Sequence, residues 1–90
     1  MLTLLINKEK KMTFKEYDVV AIKSDIQAVH KESQQPILLQ SGQVGTVVMN
    51  LNNEAYLIDF SDAQGITYAM ETVPPDQLML LHYEPKLVAA

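Results

Sequence analysis

The sequence predicts a mostly β domain of five short strands with a long first loop, and three observations lead there. From Tyr17 onward the chain falls into short runs rich in Val, Ile, Tyr and Thr, side chains that suit a pleated, half-buried surface. Turn chemistry closes the runs, as in "NN", "DAQG" and "VPP". Tyr56, Ile58 and Phe60 alternate with Leu57 and Asp59, so the first three share one face of their strand and Leu57 takes the other.

The five strands are expected at about 18–23, 44–50, 55–60, 66–73 and 78–82. Asn52 and Asn53 tolerate the positive φ of a tight two-residue turn, and Asp62 and Gly65 stand where a four-residue turn wants them, so the middle three strands form a meander. Pro74 and Pro75 cannot donate to a ladder, so the chain leaves the sheet there. Asp76 is placed to cap a single helical turn at that corner. A long first loop, a meander and a short turn before the last strand give the strand order of SH3-like barrels. The expectation is a small five-stranded SH3-like barrel over 12–84, with a flexible leader at 1–11 and a C-terminal tail at 85–90. Its expected core holds Val20, Ile22, Val48, Tyr56, Ile58 and Phe60.

The stretch "SGQVGTVV" at 41–48 carries two glycines three apart. Gly42 supplies positive φ where the long loop reverses into the second strand, and Gly45 permits a bulge or a close backbone approach. A phosphate-gripping loop would open a helix; here a strand follows, so both glycines read as structural. In the loop itself, "SDIQAVHKESQQPILLQ" at 24–40, Ile26, Val29 and then the polar "HKESQQ" allow a short helical turn, and "PILLQ" reads as a further strand fragment. Loops longer than about 12–15 residues in compact domains are usually functional or mobile. This one is a place to look for a contact surface, set against its reading as a loose insertion.

Ninety residues make one domain, and a chain this short buries only about 60–65% of its unfolded surface. Without cysteine there is no disulfide, no thiolate nucleophile and no Cys-based zinc site. Seven Lys, no Arg and eleven acids give a net charge of −4, opposite to the sign that favours nucleic acid or anionic lipid. The apolar stretch at 1–6 is too short for a secretory signal, and no run approaches the roughly 18–20 residues of a membrane span. A cytoplasmic location is expected. The only imidazoles, His30 and His82, lie in no catalytic or metal-ligand spacing. Asp59, Asp62 and Glu71 are candidates to face one another across the meander, but among eleven acids a solvated rim is the preferred reading. Lys8, Lys10, Lys11 and Lys15 form a basic cluster interrupted by Glu9, without Arg or interleaved aromatics. No catalytic residue, cofactor, metal site or small-molecule ligand is expected.

The apolar excess carries more information. "VVMNL", "AYLI" and "LMLLHY" put hydrophobic side chains on both faces of their strands, whereas a small barrel has one interior to fill. Either the long loop and the C-terminal "KLVAA" cover the second face, or a protein partner or a second copy does. The partner reading is preferred, with Leu57, Met79, Leu81, Ile37 and Leu39 as candidate contacts.

In "FKEYDVVAIKSDI", "SGQVGTVV" and "AYLIDFSDAQGITYAMETVPPDQL", from about Phe14 to Leu80, the chain resembles a bacterial family known as domain of unknown function 4926. The residues at 17–20, 44–48, 55–60 and 62–65 match its pattern. The chain departs from it in a longer first loop and at Leu57, where the family often carries an acid. The resemblance implies a small SH3-like barrel. Some members are encoded beside toxin or nuclease genes, which implies a non-catalytic antitoxin or accessory protein-binding role without any residue-level motif to transfer. "VGTVV" is also similar to the glycine-led strand of ribosome- and transcription-associated SH3-like proteins, and a nucleic-acid-associated role is the alternative.

Overall fold

A computed structural model describes residues 12–82, 84–85 and 87–89. The expected leader at 1–11, with Lys8, Lys10 and Lys11, lies outside the described residues, as do Tyr83, Lys86 and Ala90. The fold is mostly β, with strands β1 (Val19–Ile22), β2 (Ile26–Val29), β3 (Pro36–Leu39), β4 (Val44–Leu51), β5 (Ala55–Ser61), β6 (Thr67–Val73) and β7 (Leu78–Leu80). They form a five-stranded sheet in the order β6-β5-β4-β1-β7 and a separate hairpin β2-β3, neither of them closed as a barrel.

The expected five strands are those of the larger sheet, and the count was short because the long loop holds a hairpin of its own. Ile26–Val29 is a strand and not a helical turn: it pairs antiparallel with β3, Ile26 opposite Leu39 and Ala28 opposite Ile37. Period-two burial explains the difference, since Ala28 and Leu39 are buried and Ile26 and Ile37 pack against the core. The polar run "HKESQQ" makes the hairpin tip, where the His30 carbonyl accepts from the Gln34 amide and the His30 amide donates to the Gln35 carbonyl.

The core lies between the inner side of the large sheet and the hairpin. Val20, Ile22, Tyr56, Ile58 and Phe60 are buried there as expected, joined by Val47, Ala69, Val73 and Leu78 from the sheet and Ala28 and Leu39 from the hairpin. Phe14 closes one end. Its ring meets Tyr56 edge-on at 5.3 Å, its amide donates to the Tyr56 hydroxyl (3.2 Å), and that hydroxyl donates to Asn53 Oδ1 (3.3 Å). The buried phenol is therefore satisfied.

Val48 does not belong to the core; Val47 does. Val47 lies opposite Ile58 but Met49 lies opposite Leu57, so Val48 is the extra residue of a β-bulge. A bulge shifts the alternation by one, and a strict period-two count passes straight through it. The turns carry two smaller corrections. The β4-β5 connection is three residues and not two, since Leu51 pairs with Ala55, with Asn52 and Asn53 both at positive φ. The single 3₁₀ turn Pro75–Gln77 has Pro74 as its N-terminal flank and no side-chain cap; Asp76 sits inside the turn. The "DAQG" turn forms as expected: the Gly65 amide donates to the Asp62 carbonyl, Gly65 has φ +81°, and Asp62 Oδ1 accepts from the Gln64 and Ile66 amides.

Gly45 answers to the close approach expected of it. A Cβ there would stand 2.5 Å from Ile58 Cγ2 and 3.0 Å from both the Asp59 carbonyl oxygen and Phe60 Cδ1. Because one of these atoms is backbone, Gly45→Ala is expected to cost about 1–3 kcal/mol as overpacking. A thermal melt coinciding with wild type would contradict the β4-β5 packing described here.

Candidate functional site

Cross-strand pairing defines the outward positions of the large sheet. Val44, Ala21 and Met79 lie in one row across β4, β1 and β7. Met70, Asp59, Thr46 and Val19 lie in the next, across β6, β5, β4 and β1. Thr72, Leu57 and Met49 form a third and Ala55 with Leu51 a fourth. Of these, Val44, Met49, Leu51, Met70 and Met79 are 38–52% exposed. An antiparallel sheet with one face in water ordinarily turns polar residues outward, and this one turns an apolar surface outward across all five strands.

Two possible covers for this side can be judged. The β2-β3 hairpin packs on the opposite, inner side, where it contributes Ala28 and Leu39 to the core. In the C-terminal "KLVAA", Leu87 and Val88 are 92% and 86% exposed. Neither segment, among the described residues, covers the outward side.

The candidate contact residues accordingly separate into two groups. Met79 is exposed, Leu57 is half-buried between Met49 and Thr72, and half-buried Leu81 continues the β7 row by donating its amide to the Val19 carbonyl. These three share the outward side. Ile37 packs against the core from the hairpin, and Leu39, at 2% exposure, is a core residue and not a surface contact. Val44, Met49, Leu51 and Met70 were missed by sequence reasoning. The length of the connection decides Met49: a two-residue Asn52–Asn53 turn sets Val48 opposite Leu57, whereas the three-residue connection sets Met49 there.

A second feature lies at the hairpin tip. Here the Lys31 amide donates to the Tyr68 carbonyl (2.8 Å), tying the tip to β6. An open cleft of about 530 Å³ is lined by His30, Lys31, Glu32, Asp62, Ile66, Thr67 and Tyr68. The His30 and Tyr68 rings stack, with centroids 6.4 Å apart and planes 28° from parallel. Burial, and then the negative charge of Asp62, raise the Tyr68 pKa above its ordinary value, which keeps the phenol protonated. His30 Nδ1 accepts from the Glu32 and Ser33 amides (3.2 and 3.3 Å). That nitrogen shapes the turn.

The three carboxylates considered together do not meet. Asp59 pairs with Met70 on the outward side, while Glu71 pairs with Ile58 on the other and its Oε2 accepts from the Val29 amide of the hairpin (3.2 Å). Asp62 is engaged in its own turn. Among the described residues no cluster of three or more His, Asp or Glu is grouped to hold a metal ion, and no helix is long and apolar enough to cross a membrane.

Against known proteins, the model of a family described as Domain of unknown function (DUF4926) matches residues 16–80. No curated protein and no solved structure matches the chain. The match spans most of the sequence, and the chain belongs to that family.

Proposed function

We propose that this family member is a non-catalytic protein-binding module with an SH3-like architecture, acting in the bacterial cytoplasm as the antitoxin-like or accessory partner of a neighbouring gene's product. The SH3-like reading is supported by the sheet order β7-β1-β4-β5-β6, the hairpin inserted between β1 and β4, and the 3₁₀ turn that leads into the last strand. The binding reading rests on one observation, the outward apolar side on which Val44, Met49, Leu51, Met70 and Met79 stand exposed. Apolar patches that exceed a few hundred Å² on a small protein mark interaction sites.

The test is co-purification of the tagged full chain with the product of the adjacent gene, comparing wild type with Met49→Glu. Wild type should retain the product, and Met49→Glu should lose it while melting at the same temperature. Equal retention by both would remove the outward side from the contact.

Nucleic acid is the class of partner that charge opposes most. Duplex DNA and single-stranded RNA are expected to bind no better than nonspecifically at physiological salt, because a net charge of −4 works against counterion-release binding. A sub-micromolar anisotropy isotherm with a steep salt dependence would reverse that order.

A further inference from the structure

Among the described residues, Asp59 is the only charged side chain at an outward strand position of the large sheet. It lies in the row between Thr46 and Met70, beside Leu57. Two hydroxyls hold the carboxylate by one oxygen: Oδ1 accepts from Thr67 Oγ1 at 2.8 Å and from Ser61 Oγ at 3.2 Å. A partner that covers the apolar side also takes this carboxylate out of water, and a buried charge left without a counter-charge opposes association strongly. A cation placed on Oδ2 offsets that cost most fully.

The wider charge distribution points the same way. Seven lysines and no arginine stand against eleven carboxylates, a net charge of −4. A second copy would meet this surface with the same excess of negative charge, whereas a cationic protein surface is drawn to it.

From a hydroxyl-held carboxylate whose Oδ2 has no partner among the described residues and which is set in an apolar sheet side, we infer that the partner is a cationic protein segment that places a Lys or Arg on Asp59 between apolar side chains packed on Met49, Leu57 and Met70. This rests on the protein-binding reading above and adds the partner's chemistry to it. The charge-assisted pair supplies register and specificity, and the methionines supply adaptable area around it.

The probe is a random peptide display library panned on the immobilised full chain, followed by affinity measurements on wild type, Asp59→Asn and Met49→Glu. Asp59→Asn keeps an oxygen to accept from Ser61 and Thr67, and melting confirms that the fold is kept. The recovered peptides should carry Lys or Arg flanked by large apolar residues, weaken on added NaCl, and bind Asp59→Asn at least tenfold more weakly. If Asp59→Asn melts early, the salt dependence on wild type decides in its place. Peptides without a basic residue, or with equal affinity for Asp59→Asn, overturn the cation pairing. If those peptides still lose binding to Met49→Glu, the docking side stands and only the partner's chemistry falls. An empty selection, or insensitivity to both substitutions, removes both. A doubled mass by light scattering that Met49→Glu abolishes and Asp59→Asn does not assigns the surface to a second copy and overturns the inference.

Discussion

Phe60→Ala is expected to lower the unfolding free energy by about 3–5 kcal/mol, the range for truncating a buried phenylalanine. Phe60 is 0% exposed, lies opposite Ala69 of β6, and approaches the Cα of Gly45 closely enough that a Cβ there would stand 3.0 Å from its ring. Its neighbours Ala69 and Gly45 are too small to fill the space a truncation leaves. Domains of this size have only about 5–15 kcal/mol of stability in total, so the variant should show a large fall in urea midpoint with the slope unchanged. A midpoint equal to wild type would place Phe60 outside the core and overturn the β5 register.

Ile58→Glu and Leu57→Glu, adjacent in sequence, are expected to differ sharply. Ile58 is fully buried, and a carboxylate there would lie among apolar side chains with no hydrogen-bond partner, a cost of several kcal/mol that exceeds much of the available stability. The chain should fail to fold at ordinary temperature. Leu57 stands half-buried on the other side of the same strand, opposite Met49 and Thr72. A glutamate there reaches water, and its cost should stay near about 1 kcal/mol. Circular dichroism melts on the pair distinguish the two sides of β5. Equal unfolding of both variants would mean that Leu57 is covered by the chain itself.

Much of this fold was legible because its strongest signals are local. Tyr56, Ile58 and Phe60 alternate cleanly, and Asn52, Asn53, Asp62 and Gly65 carry turn chemistry in their own side chains and backbones. Val48 was misplaced because a bulge is set by where β4 meets β5, which no single-strand pattern records. The β2-β3 hairpin was hidden because its strands are four residues each and their apolar positions are separated by a polar tip longer than either. The outward site was half legible. Doubled hydrophobicity exposed Leu57, Met79 and Leu81, but assigning Leu39 to a surface required knowing which side of the sheet the hairpin covers. That is a tertiary fact, and it turned a candidate contact into core. Asp59 gained its significance the same way, from its neighbours across three strands.

Three of the five methionines, Met49, Met70 and Met79, lie on the outward side, which makes their methyl groups direct reporters of whether that side is the contact. The decisive measurement is a methyl spectrum of the ¹³C-methionine-labelled full chain, free and in complex with its co-purified partner. The methyls of Met49, Met70 and Met79 should shift or broaden on binding, while core resonances such as Ile58 and Val47, followed in a second labelling, hold their positions. Unmoved methionine methyls, with the perturbation confined to Ile66 and the His30 and Tyr68 rings at the hairpin cleft, would contradict the account and move the binding surface to the tip.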